Sequence, residues 1–215
     1  MSRLAIAFAL VTSLTTSVFA SSAGAQFARP PAAQVELRAE ARMPMRYLDR
    51  AVLRAKLLER RAQNLAHFRA YQKKGTFPAN TFLEGELNVW VDDFGNICAA
   101  ASIIKASGNV ELVKRVGDET NFIRLGDVEQ GPLMDWMLTS GFTKEEIVAI
   151  QRPMAYIGDE RQQLNRPFQL AETERLKKLY KTVERSLLKG QKKSIELAVT
   201  RLMQNPDLAW KLLDS

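Results

Sequence analysis

Among its 215 residues the chain has one cysteine, Cys98, and one histidine, His67. A single cysteine excludes an internal disulfide, and with a lone imidazole it also excludes the paired Cys and His patterns of structural zinc sites. Stability must then come from an apolar core, which a chain of this length can bury. Aromatic residues make up 8% of the chain and do not alternate with the basic ones, so the stacking platform of a single-strand nucleic-acid binder is missing. Long apolar runs are missing too. The run that begins at Leu4 is broken by Thr12, Ser13, Thr15, Thr16 and Ser17, too soon for a membrane span, so an integral membrane protein is not expected. There is no internal repeat and no glycine-rich nucleotide loop, and hence no cofactor is implied.

The N-terminal run reads instead as a signal peptide. Arg3 precedes the apolar stretch, and small residues offer two cleavage sites, Val18-Phe19-Ala20 and Ala23-Gly24-Ala25, of which the second is preferred. Residues 1–25 are therefore expected to be removed on export to a periplasm or the medium, and residues 26–34, with Pro30 and Pro31, to form a disordered lead-in. The remainder, 35–215, is expected to fold as one helical domain with a small two-stranded antiparallel β element in the middle.

Charge divides that domain into three. Residues 26–74 carry 12 Lys and Arg against 4 Asp and Glu, residues 75–158 carry 6 against 12, and residues 159–215 carry 12 against 8. A basic helix (35–74) and a basic helical tail (159–215) thus flank an acidic middle module (75–158). The simplest use of this layout is internal, with complementary fields orienting the flanks on the middle. An external anionic partner, or another protein, is the alternative.

In the basic flank, Pro44 starts the main helix, which runs to Lys74 with Leu48, Ala51, Val52, Ala55, Leu58, Ala62, Leu65 and Ala66 on one apolar face. Arg38, Arg42, Arg46, Arg50 and Arg54 recur every fourth residue, a solvated row or a ladder for phosphates. In the tail, Leu176, Leu179, Tyr180, Val183 and Leu187 form a face ended by Gly190. Ile195, Ala198, Val199 and Leu202 form another, and Asn205-Pro206-Asp207 opens a last helix.

The middle module centres on Glu84 to Gly108. Leu87, Val89 and Val91 alternate with polar partners as a strand does, Asp92-Asp93-Phe94-Gly95-Asn96 supplies a turn, and Ile97 to Ala106 is a helix. Asn121 to Leu125 is a second strand able to pair with Leu87–Val91. Thr143 and Glu146 form a capping box after the break at Gly141. That helix–turn–helix spacing is also found in DNA-reading units, but Glu145 and Glu146 at the start of its second helix would repel phosphates.

Val91-Asp92-x-x-Gly95-x-x-Cys98-Ala99, then Ser107-Gly108, Asn121-Phe122-Ile123 and Gly141-Phe142-Thr143-x-Glu145-Glu146-x-x-x-Ile150-Gln151-x-Pro153, resembles a pattern shared by secreted bacterial proteins with no established function. The likeness covers the middle third of the chain. In that pattern a His or other polar residue precedes the Cys and a Gly follows, whereas this chain has Ile97 and Ala100 or Ala101. The resemblance implies export and a compact middle module, and brings no activity.

Two chemistries remain conceivable. With Asn96 as cap, Cys98 would lie in the first turn of a helix, where N–H groups stabilise a thiolate. His67 could then act as base, with Asn64 one turn away and Asp92 or Asp93 as orienter, in a cysteine-dependent acyl hydrolase or transpeptidase. Asp92, Asp93 and Asn96, with Glu84 and Glu86 nearby, are oxygen ligands for a cation, although they lack calcium-loop spacing. Neither catalytic nor metal-binding use is favoured over a buried Cys98, a solvated His67 and a plain turn. The preferred expectation is an exported protein with a non-catalytic binding or structural role in the cell envelope. The alternatives are the thiol hydrolase and a basic adaptor for anionic envelope polymers.

Overall fold

The computed structural model describes residues 47–158 and 166–215. The signal peptide, the lead-in and the helix start at Pro44 fall within residues 1–46, outside the described residues. The described chain is mainly α, with seven α-helices and one two-stranded antiparallel sheet in its middle region. Arg46–Ser215 form one compact unit.

Helix α1 spans Arg50–Lys74, and Asp49 fixes its start by accepting from the N–H groups of Ala51 and Val52 through Oδ1 at 2.6 and 3.3 Å. Residues 47–49 are non-helical, so α1 starts at Arg50 behind this cap. The inward face is also rotated from the one expected. Leu53, Leu57, Arg61, Asn64, Leu65, Phe68 and Tyr71 are buried, whereas Ala51, Ala55, Ala62 and Ala66 are exposed and Val52 is 52% exposed. The buried positions follow spacings of four and three residues without interruption, but Arg61 and Asn64 sit in the middle of the stripe, and a search for apolar side chains alone settles on its neighbour.

Helix α6, Arg166–Met203, runs antiparallel to α1, so that Arg54 meets Glu196, Arg61 meets Leu187 and Arg69 meets Glu184. It continues through Gly190, where the sequence suggests a stop. Gly190 keeps a helical backbone, and its open side holds Ser194 Oγ and the Glu146 carboxylate at ordinary contact distance. Packing along α1 outweighs the cost of about 1 kcal/mol for a helical glycine. Helix α7, Pro206–Leu213, begins as expected at Pro206. Asn205 does not cap it, but donates backwards to the Arg201 carbonyl at 2.9 Å.

Between the long helices lie α2 (Ala99–Ala106), α3 (Val110–Thr120), α4 (Pro132–Thr139) and α5 (Lys144–Ile150). The sheet pairs β1, Glu86–Leu87, with β2, Met154–Ala155, in the register Glu86 to Ala155 and Leu87 to Met154. Asn121–Leu125 is therefore not the partner strand. A single side chain takes that role: Asn121 Oδ1 accepts from the Val91 N–H and its Nδ2 donates to the Val91 carbonyl, both at 2.9 Å, while its carbonyl accepts from the Trp90 N–H at 2.8 Å. An amide imitates one rung of a β ladder, and the chain goes on into a short 3-10 turn at Leu125–Asp127. The loop before β1 is organised in the same way by Asn80, wholly buried, which donates to the carbonyls of Leu83, Gly85 and Met154.

One apolar cluster joins α1, α2, the middle helices and the first half of α6 through Phe68, Trp90, Ile104, Phe142 and Tyr180. A second joins the start of α1, the end of α6 and α7 through Leu53, Leu57, Ile195, Val199 and Leu202.

Candidate functional site

Cys98 is the cap of α2 rather than a residue of its first turn. Its backbone is extended, its N–H donates to the Trp90 carbonyl at 2.9 Å, and its Sγ accepts from the Ala101 N–H at 3.4 Å. The sulfur thus takes the place usually held by a Ser or Asp oxygen, and Asn96 does not cap the helix. No part of Cys98 reaches solvent. Burial pushes the thiol up to about 11, and the nearby backbone N–H groups, which favour the thiolate, do not reverse this. At neutral pH roughly one sulfur in ten thousand would be ionised. The activation conceivable at a helix start is outweighed, because desolvation exceeds the N–H contribution.

His67 is half-buried on α1 and makes no hydrogen bond to Cys98. Its expected neighbour Asn64 is turned into the core, where Nδ2 donates to the Ser140 carbonyl at 2.8 Å. Tyr71 and Tyr180, both buried, are the groups coupled electrostatically to Cys98. Their rings meet edge to face with centres 5.6 Å apart, and burial raises both phenols well above the ordinary tyrosine value. The structure therefore surrounds the thiol with aromatic core and does not assemble it with an imidazole.

Asp92 is buried, and both its oxygens are used inside the turn. Oδ1 accepts from the N–H groups of Phe94 and Asn96 at 3.0 and 2.8 Å, and Oδ2 from the Ala79 N–H and Asn96 Nδ2 at 3.1 and 2.9 Å. Four N–H donors leave this carboxylate no face for a metal ion, and they also remove it as an orienter of His67. Asp93 is exposed and accepts from Thr81 Oγ1 at 3.3 Å. Glu86 lies 3.5 Å from Arg175. No group of three or more metal-ligating side chains occurs among the described residues.

The main polar assembly of the interior is elsewhere, and sequence reasoning missed it. Arg61, 2% exposed, grips Glu146 with both terminal nitrogens at 2.7 Å. It also donates to the carbonyls of Gly141 at 3.0 Å and Leu187 at 2.7 Å, and stacks on Phe142 with Cζ 4.9 Å from the ring centre. Glu146 completes the capping box with Thr143 and accepts from Ser194 Oγ at 2.8 Å. Gly141, at φ 80°, lies so close to α1 that an added Cβ would stand 2.4 Å from the Leu57 carbonyl oxygen. One guanidinium therefore ties α1, the α4–α5 turn and α6 together. The expected capping box was a sufficient signal for Glu146, but nothing local marks Arg61, its partner on α1.

A cleft of about 430 Å³ between α1, α4 and α7 is lined by Arg60, Asn109, Asp135, Trp136, Lys211 and others, and by none of Cys98, His67 or Asp92. The outer face of α6 carries exposed lysines. Of the expected arginine row, Arg50 and Arg54 are within the described residues, and both pair with Glu196. No helix of the described residues is long and apolar enough to cross a membrane. Comparison of the chain with known protein families, with curated proteins and with solved structures returned no match.

Proposed function

We propose that this chain is an exported protein of the cell envelope that works by binding and not by covalent chemistry. The observation that carries the reading is the position of Cys98: its one thiol is consumed as the cap of α2, sealed from solvent and held protonated by burial. The leader pattern at Met1–Ala25 and the resemblance of the middle module to secreted bacterial proteins support the compartment. The acyl-transfer alternative needs Cys98 beside His67, and it loses support from their separate surroundings.

Two experiments test the proposal. In cells expressing the tagged full chain, the mature N-terminus is expected at Gln26 in the exported fraction. An uncleaved protein in the cytoplasm contradicts the compartment. On a nitrophenyl ester or a peptide thioester, the wild type and Cys98→Ser are expected to give the same background rate, and turnover that disappears in Cys98→Ser contradicts the non-catalytic reading.

A further inference from the structure

We infer that the outward face of α6 from Lys178 to Lys192 is a docking stripe for a linear anionic polysaccharide, which deepens the binding role proposed above and rests on it. Lys178, Lys181, Arg185, Lys189 and Lys192 are spaced by three, four, four and three residues, and all are exposed. At about 100° per residue they fall within an arc of roughly 80°, and at about 1.5 Å per residue they span about 21 Å, one cation for each turn. Leu176, Tyr180, Val183 and Leu187 are buried on the opposite side of the helix, so its rotation is fixed and the stripe faces outward in a preformed line. Binding there orders side chains only, with no backbone to organise.

The stripe is one-signed in a way that a solvated helix face usually is not. No carboxylate of the described residues forms an ion pair with any of the five. Arg185 is held by neutral acceptors, the Thr182 hydroxyl at 3.1 Å and the Lys181 carbonyl at 3.4 Å. Glu184, the one acid between Glu174 and Glu196, turns to the other side and pairs with Arg69. Glu174 lies at the N-terminal end of the stripe, is bound by Lys177 at 2.7 Å, and feels Lys178 and Lys181 electrostatically. Lys181, Arg185 and Lys189 are thus like charges at successive four-residue steps, an arrangement that destabilises a free helix and is relieved by a polyanion.

The occupant follows from what the stripe lacks. An anionic bilayer takes an amphipathic helix whose cations flank an apolar face that enters the lipid, whereas here Leu188, 44% exposed, is the single large apolar residue from Lys178 to Lys192 on the outward side. Glu174 and Glu196 also lie on the same arc beyond each end, where a plane longer than the stripe would press on them. Single-stranded nucleic acid wants aromatic rings for its bases, and the arc has none. A saccharide chain with a charged group every 5 Å or so fits a row of point charges one turn apart.

The test uses the mature full-length protein and an alginate oligosaccharide of about ten uronate residues, titrated at 50 and 200 mM salt. The variant Lys181→Gln/Arg185→Gln/Lys189→Gln is compared with Lys105→Gln/Arg115→Gln/Lys211→Gln, which removes the same charge elsewhere. The stripe variant is expected to bind at least tenfold more weakly at 50 mM salt, with the salt dependence reduced by two to three charges, while the other stays within threefold of wild type. At low salt the stripe variant is also expected to melt no lower than wild type, since like-charge repulsion has been removed. Equal weakening of both variants, or no binding by the wild type, overturns the inference. So does stronger stripe-dependent binding to vesicles with one-third phosphatidylglycerol or to an oligothymidylate. These outcomes are independent of the ester-turnover and compartment tests, so either conclusion can fail alone.

Discussion

Gly141 and Arg61 are where single residues matter most to this fold. Gly141 combines a positive φ with a backbone approach that leaves no room for a methyl group against the Leu57 carbonyl and the Arg61 amide. Gly141→Ala is expected to destabilise the protein by about 3 kcal/mol or more, measured by urea denaturation, because neither strain nor clash can be relieved by a side-chain movement. Arg61 satisfies two buried carbonyls and a carboxylate at once. Arg61→Leu leaves those groups without a donor, and a loss of about 3–5 kcal/mol is expected. Arg61→Lys is expected to recover only part of it, since a single ammonium cannot reproduce the planar fork. A lysine variant as stable as wild type would contradict this reading of the hub.

These residues also show what the sequence conceals at this scale. The Thr143–Glu146 box was legible because its signal is local, two side chains three residues apart. Arg61 was not, because its partners lie 80 or more residues away and a buried arginine in an otherwise apolar stripe looks like an exposed one. Cys98 was legible as a possible core residue, but its capping role was not, since sulfur seldom takes that place. Asn80, Asn121 and Gln151 repair loop backbones by amide pairing, and nothing in composition or periodicity marks an amide for this task.

Among the elements, α6 is the most informative. Its continuity through Gly190 predicts that Gly190→Ala stabilises the protein by about 0.5–1 kcal/mol. The added Cβ meets only ordinary contacts, and the helix gains the alanine propensity. A destabilised variant would show that the glycine is needed against Glu146. The α1–α6 pairing also has a pH signature. Partial burial alone would raise the Glu184 carboxyl, but the donors Arg69 and Gln72 outweigh it and hold it below the ordinary value. A depressed carboxyl contributes stability that is present above its unfolded value, about 4.3, and is lost as the pH falls through the lower folded value. Urea midpoints are therefore expected to fall between pH 5 and about 3, and Glu184→Gln to flatten that fall.

Element types were largely readable from the chain, and pairings were not. The helices, the central turn and the existence of a small antiparallel element follow from local pattern. The partner of β1 is Met154–Ala155, two residues whose sequence carries no alternation to read. The stop expected at Gly190 was a true local preference overridden by tertiary contact.

For the whole molecule, the charge layout has a mixed outcome. The basic flanks do contact the middle, through Arg61–Glu146, Arg175–Glu86 and Arg201–Glu145. They also pair with each other, through Arg50 and Arg54 with Glu196 and Arg69 with Glu184. Among the exposed cations that they leave without a carboxylate partner in the described residues are Lys73, Lys74 and Lys211, and the row on the outer side of α6. The binding role proposed above takes its support from the structural thiol and from that row.

The measurement that bears on this most directly is the alkylation of Cys98 by iodoacetamide at pH 7.5, with and without denaturant, followed by intact mass. The native protein is expected to stay unmodified over hours and to take up one equivalent as soon as it is unfolded. Rapid, complete modification of the folded protein at neutral pH would mean an accessible, ionised sulfur, and would contradict the account.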